Sequence, residues 1–233
     1  MKLERLLAKH DSMGRRQARQ RILAGRVRVD GRVTLVHDLE VDRFARVELD
    51  GQPLRQAERL LHFMVNKPPG ILSATRDPEH RTVIDLLDDP DRHLLHIAGR
   101  LDRGTTGLVL LTNDGRWSKR LMAPEAKVAK VYRVQTRDPI LQQAVDDFAR
   151  GFYFHTEDLT TLPAELEIIG EREARLTLHE GRYHQIKRMF HRTGNLVTAL
   201  HRESIGGIAL PADLPEGGWR ALSAAEIVGV FEG

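Results

Sequence analysis

One acid stands out by its setting. Asp102 lies in Gly99-Arg100-Leu101-Asp102-Arg103-Gly104-Thr105-Thr106-Gly107, a glycine- and threonine-rich turn between two apolar runs, residues 94–98 and 108–111. Those runs read as buried strands. A carboxylate at a strand–turn junction can be aimed at a bound ligand, where it can act as a nucleophile or a base. The same aspartate could instead cap its own turn. Arg100 precedes it by two positions, so on an extended segment both side chains point the same way. The second stretch with reactive side chains is Glu180-Gly181-Arg182-Tyr183-His184-Gln185-Ile186-Lys187-Arg188-Met189. The third is basic: residues 15–32 hold seven arginines and a single acid, Asp30. Guanidinium groups pair with phosphate oxygens in a two-point fashion, although a charge run can also be a solvated helix face.

Other chemistries are disfavoured by spacing. The glycines at 99–104 followed by Thr105-Thr106 lack the Gly-Lys-Ser/Thr end of a phosphate-binding P-loop. The eleven histidines show no metal-ligand spacing, and the absence of cysteine removes disulfides and thiolate metal sites. The carboxylate pairs Asp88-Asp89 and Asp146-Asp147 are adjacent in sequence rather than facing, unlike a glycosidase pair.

The elements that must position these residues follow from patterning. Leu3, Leu6 and Leu7 mark a short amphipathic helix. After a break around residues 11–14, a second helix runs over 15–24, with Ala18, Ile22 and Leu23 inward and Gly25 ending it. Val27 and Val29 alternate with arginines before the turn Asp30-Gly31, and Asp50-Gly51 marks a second hairpin. Residues 52–59 are polar and contain Pro53, the pattern of a linker. Residues 60–65 open a larger domain and lead into Asn66-Lys67-Pro68-Pro69-Gly70, where Lys67 reads either as a phosphate ligand or as a surface lysine beside a proline turn. Further on, residues 116–121 read as a helix. Residues 130–134 alternate as a strand, with Val128, Tyr132 and Val134 on one face. Asp138-Pro139 has the form of a helix start. Residues 183–192 read as a helix with Ile186, Met189 and Phe190 inward, followed by a strand over 196–200 and a capped helix over 223–230. Strands interleaved with helices without regular βα alternation predict an α+β chain. The division is a small domain over 1–58 and a larger one over 59–233, the latter a mixed, mainly antiparallel sheet with flanking helices.

The charge is asymmetric. Residues 1–60 carry 14 Lys and Arg against 9 Asp and Glu, and the remainder 22 against 24. The basic end therefore suits a polyanion. No apolar run is long enough to span a membrane, and the charged N-terminus is unlike a secretory signal, so the cytoplasm is the expected location.

The wording Gly-Arg-Leu-Asp-x-x-Thr-Thr-Gly-Leu-x-Leu-Leu-Thr-Asn-Asp-Gly resembles the active-site motif of the bacterial ribosomal RNA pseudouridine synthases. The similarity is to the branch with an N-terminal S4 domain, and within it to the enzymes acting on small-subunit (16S) RNA. Asn66-Lys67-Pro68-Pro69-Gly70, Lys130-Val131-Tyr132 and Gly181-Arg182-Tyr183-His184-Gln185 also match that family. The two short helices and hairpin sheet at the N-terminus resemble its S4 module more loosely. The resemblance runs from Met1 to about Glu226.

The resemblance implies an isomerase that turns uridine in RNA into pseudouridine, with neither cofactor nor metal. It implies Asp102 as nucleophile or base at the ribose. Tyr132 stacks on the base or assists proton transfer, with a core tyrosine as the alternative. Arg182 is expected beside Asp102 as its ion-pair partner. Arg100 occupies space near the flipped nucleotide, or serves as a phosphate or structural contact. Lys187 and Arg188 contact RNA phosphates or form a solvated helix face. His184 and Gln185 orient the loop. Arg15, Arg16, Arg19, Arg21, Arg26 and Arg28 lie on or beside an RNA-facing surface. The implied substrate is 16S RNA, free or in assembly intermediates, modified at uridine 516 by a monomer with no membrane partner. Two alternatives remain open: a synthase acting on 23S RNA, and a non-catalytic S4-type assembly protein.

Overall fold

The computed structural model describes residues 1–10 and 13–232 and divides into two compact units, Met1–Leu60 and Leu61–Gly233. Part of the break expected over 11–14 lies outside the described residues.

The first unit holds α1 (Leu3–His10), α2 (Arg15–Leu23), β1 (Val27–Val29), β2 (Arg32–Val33), β3 (Val47–Leu49) and β4 (Gln52–Arg55). Its antiparallel sheet has the order β2-β1-β3-β4. Leu3, Leu7, Ala18, Ile22, Val27 and Val47 are fully buried between helices and sheet. Asp30-Gly31 and Asp50-Gly51 both turn with positive φ, at 50° and 78° and at 53° and 79°, the conformation a tight hairpin with strand-matched twist requires. The structure departs from the sequence expectation at two places. Leu23 is 60% exposed, because the buried stripe of this short helix is filled by Ala18 and Ile22. The stretch read as a linker contributes β4, and Pro53 is tolerated because β4 is an edge strand with no donor required on its open side.

The second unit holds β5 (His62–Lys67), β6 (His96–Ile97), β7 (Thr106–Thr112), α3 (Gly115–Met122), β8 (Lys130–Thr136), α4 (Gln143–Arg150), β9 (Tyr153–Phe154), β10 (Leu159–Thr160), β11 (Glu165–Gly170), β12 (Glu173–Leu178), α5 (Gln185–Arg192), β13 (Val197–Ile205), β14 (Ile208–Ala209), β15 (Trp219–Ala221) and α6 (Ala224–Gly229). The main sheet runs β11-β12-β8-β13-β7-β5-β15, with β14 on β13 and β6 on β7. Every pairing in it is antiparallel except β13 on β7. The chain is therefore α+β with a mixed, mainly antiparallel sheet.

Both faces of the sheet centre are covered. Leu108 and Leu110 of β7 pack with Trp117 and Leu121 of α3, while Val109 and Leu111 pack with Phe148 of α4 and Ile186, Met189 and Phe190 of α5. A strand buried on both sides reads as a continuous apolar run, as 108–111 does.

Helix ends follow local chemistry. Asp114 accepts hydrogen bonds from the Arg116 and Trp117 amides and caps α3. Ser223 and Glu226 cap α6 reciprocally. Asp138-Pro139 does not start a helix, and α4 begins at Gln143. Asn195 instead pins that turn, accepting from the Asp138 amide at 3.1 Å and donating to its carbonyl at 2.8 Å. Among the described residues no helix is long and apolar enough to cross a membrane.

Candidate active site

Asp102 stands on the turn that enters β7. Its carboxylate is about a third exposed and opens into a cleft of about 590 Å³. The cleft has an apolar lining that includes Leu72, Leu101, Leu178, Ile186 and Leu200, with Tyr132 on one wall and Arg100, Arg182 and Lys187 among its charged residues. Tyr132 is 8% exposed. A carboxylate in a partly enclosed cleft lined by apolar and cationic side chains is a common setting of a reactive group.

The turn is clamped from both sides by buried cations. Lys67 is fully buried, and its ammonium donates to the carbonyls of Pro68, Arg103 and Thr105 at 3.0, 3.1 and 2.8 Å. It is neither a surface lysine nor available to a phosphate: its three donors are committed to the backbone around Asp102. Arg202 is 2% exposed. It donates to Leu108 O at 2.7 Å, Gly99 O at 3.0 Å and Arg100 O at 3.4 Å, and lies 3.5 Å from the Tyr132 hydroxyl. Within the turn, the Thr105 amide donates to Asp102 O at 3.0 Å, and the Leu101 amide to Ser73 Oγ at 3.0 Å.

Gly107 lets this happen. Its φ is +100°, and a Cβ there would come within 2.3 Å of Arg202 O. Only glycine allows β13 to approach β7 closely enough for the parallel pairing that delivers Arg202.

Burial pulls the Lys67 ammonium down to about 8, opposed by the nearby Asp102 charge. The unfolded lysine keeps its proton to the ordinary 10.5. Between these values the unfolded chain binds a proton that the folded chain has released, so stability contributed at this position rises with pH. In urea denaturation, wild type is expected to gain stability relative to Lys67→Met between about pH 7 and about pH 10. A difference that stays flat or shrinks over that range would contradict the buried ammonium.

The ion pair at Asp102 differs from the sequence expectation. Arg182 lines the cleft but pairs with Glu180, donating through Nε at 2.9 Å. Lys187 takes its place, with Nζ 3.2 Å from Asp102 Oδ2, and His184 Nε2 lies 3.4 Å from the same oxygen. The reason is local geometry. His184 adopts a left-handed conformation at φ 49° and α5 starts only at Gln185, which turns the first helical turn, with Lys187, toward the cleft. Glu180 meanwhile collects both Arg182 and Gln185, the latter at 2.7 Å, and Gln185 accepts from the Arg182 amide at 3.0 Å. Gln185 thus bridges the Arg182 amide and Glu180 within the loop. His184 reaches beyond the loop, since it also touches Asp102.

Arg188 is likewise committed. Its guanidinium makes a two-point pair with Glu157, both contacts at 2.7 Å, and lies 3.6 Å over the Phe154 ring. It fastens the β9–β10 hairpin to α5 and is not presented to a phosphate. Arg100 is exposed at the cleft wall.

In the first unit, Arg19 donates to Glu4 at 2.5 Å and holds its carboxyl down to about 2. Arg26 makes a two-point pair with Asp50, both contacts at 2.6 Å. These two arginines are bound within their own unit, while Arg15, Arg16 and Arg28 are exposed and Arg21 half-buried.

Sequence reasoning missed Arg202. The signal was present: in an alternating strand, Leu200 and Arg202 share a face, so an inward Leu200 places Arg202 inward too. Among the described residues no group of three or more His, Asp and Glu side chains is arranged to hold a metal.

A family model described as RNA pseudouridylate synthase matches residues 62–192. A ribosomal small subunit pseudouridine synthase A of Pseudomonas aeruginosa is 54% identical over 230 residues, covering 99% of this chain and all of that protein. Its counterpart from Escherichia coli K12 is 44% identical over the same coverage. A crystal structure of a pseudouridylate synthase superposes with a TM-score of 0.72 at 36% identity, over 99% of both chains.

Proposed function

The chain belongs to the RNA pseudouridylate synthase family, an RNA-modifying isomerase, and from that premise we propose that it acts on 16S ribosomal RNA, at uridine 516. The observation that carries the catalytic assignment is Asp102 on its doubly clamped turn, facing a partly apolar cleft with Tyr132 in its wall.

The reaction breaks the N1–C1′ bond of a uridine, turns the uracil and joins C5 to C1′. C5 loses a proton and N1 gains one, so the product is an isomer and no redox step is needed. An enzyme that acts on a base must take it out of the stack, and the cleft is the receptacle. Asp102 works at the ribose as nucleophile or base. Lys187 fixes the carboxylate by a charge-assisted hydrogen bond. Tyr132 presents its ring to the base and its hydroxyl for proton transfer. The apolar lining excludes water and retains the detached uracil. Arg100, at the rim, takes up space near the flipped nucleotide.

The Met1–Leu60 unit is S4-like in this reading. Its exposed Arg15, Arg16 and Arg28 contact phosphates, whereas Arg19 and Arg26 hold the unit together. The protein acts as a monomer in the bacterial cytoplasm, on free or partly assembled RNA.

The deciding experiment is a site-resolved map of pseudouridine in unmodified 16S and 23S RNA after incubation with the purified protein. One new site in 16S RNA is expected. A site in 23S alone would overturn the target, and no site in either would overturn the activity. The ion-pair geometry adds a ranking. Lys187→Met is expected to lower kcat about thirtyfold or more, the worth of a hydrogen bond to a charged group, and Arg182→Met less than about tenfold. Measured single-turnover rates in the opposite order would restore Arg182 as the partner of Asp102.

A further inference from the structure

Beside the Asp102 cleft lies a second groove, of about 470 Å³, between the β9–β10 hairpin and α5. It is a built feature. Arg188 ties the hairpin to the helix through Glu157 and the Phe154 ring, and Arg192 donates to Tyr153 O at 3.0 Å. The rings of Tyr153 and His155 meet at 90° with centroids 4.8 Å apart, forming an exposed aromatic corner at one end. His191 and Arg192 line the helix side, and Leu196 and Val197 add apolar surface. His184 and Lys187 line both this groove and the Asp102 cleft, so the two spaces share a wall.

The lining selects an occupant. The nearby acids are already used: Glu157 by Arg188, and Asp158 as acceptor for the Tyr153 hydroxyl. What faces the groove is a set of cationic or protonatable side chains beside aromatic faces and apolar surface. A phosphodiester with an attached base satisfies all three, because base–aromatic stacking and backbone electrostatics are how single strands are held. His184 and Lys187, common to both linings, set the groove side by side with the Asp102 cleft, so one strand can serve both.

On the reading that this protein isomerises a flipped uridine, we infer that the groove holds the neighbouring nucleotide of the substrate strand: its base against the Tyr153–His155 corner, its phosphate toward His191 and Arg192. The groove fixes where the strand leaves the cleft and thereby the register of the target.

The test couples substrate truncation to mutation. KM is measured for an RNA hairpin bearing the target uridine, and for versions cut back on its 5′ side or on its 3′ side. For wild type, one truncation is expected to raise KM about tenfold, the value of one stacked base. The same truncation is expected to cost the Tyr153→Ala/His155→Ala variant less than about twofold, because the contact is already gone. His191→Ala, at an exposed position, is expected to show a reduced cost for the same side and serves if the double variant fails to fold. Truncation costs equal in wild type and variants on both sides overturn the groove assignment. Absence of pseudouridine with wild type and the full hairpin overturns the functional reading instead.

Discussion

Asp102→Asn is expected to bind RNA as wild type does and to lose isomerisation by at least about 10⁴-fold, in the range seen when a group acting directly at the reacting bond is removed. The substitution changes one oxygen to an amide nitrogen and little else. Its side chain contacts only Lys187 and His184 among the residues described, and the main-chain bond from the Thr105 amide to Asp102 O remains. The clamps on the turn from Lys67 and Arg202 engage neighbouring carbonyls and not the carboxylate, so the loop keeps its shape. An amide can still accept a hydrogen bond from Lys187 but can neither attack the sugar nor take its proton. Affinity rests mainly on phosphate contacts elsewhere and should move less than about threefold. Because C5 loses its hydrogen, release of label from 5-tritiated uridine reads the chemistry, and filter binding reads the complex. Turnover above about one part in a thousand of wild type would remove Asp102 from the reaction.

Much of this site was legible in the residue string, and the parts that were not share a cause. Asp102, Tyr132 and the loop over 180–189 do converge on one cleft, since each lies on an element whose period marks it: the run into β7, the alternation of β8, the inward stripe of α5. Pairings within the cleft depend on backbone angles and on competition between neighbours. Arg182 is closer in sequence to the loop apex, yet Glu180 captures it two residues away, and the left-handed His184 turns Lys187 to Asp102 instead. Arg188 could not be assigned without knowing that the hairpin bearing Glu157 folds onto α5. Lys67 looked like surface because it precedes two prolines, but β5 is buried along its whole length, and backbone carbonyls accept its charge. The turn at Asp138 carried every local mark of a helix start and lost to a tertiary contact, Asn195. The structure divides after Leu60, two residues beyond the boundary read from the sequence, and β4 was hidden by its proline.

Arg202→Met is the second substitution with a large expected effect, near 3 kcal/mol of stability together with a fall in kcat that folded protein still shows. Two terms oppose. Removing a buried guanidinium relieves the cost of keeping a charge from water, which alone favours the variant. Against that, three carbonyls, those of Gly99, Arg100 and Leu108, lose their donor, each costing about 1–3 kcal/mol when left without one. The second term wins chiefly through Leu108 O, whose bond is buried and whose acceptor water does not reach, while the part-buried Gly99 and Arg100 carbonyls are partly rehydrated. The functional consequence follows from geometry. Arg202 touches the carbonyls just before Asp102 and the carbonyl after it in β7, and its NH1 lies 3.5 Å from the Tyr132 hydroxyl, so it ties the two reactive side chains to one rigid group. It is a positioning residue, and the kinetic signature of lost positioning is a lower kcat with KM nearly retained. A fall in activity due only to unfolding would vanish after correction for the folded fraction, which chemical denaturation measures on the same samples. Arg202→Lys separates charge from shape: an ammonium has three donors but no fork, so it should restore much of the stability and less of kcat. If Lys restores both fully, the clamp is electrostatic alone; if Met leaves kcat untouched in the folded fraction, the turn around Asp102 holds itself and Arg202 serves only the sheet.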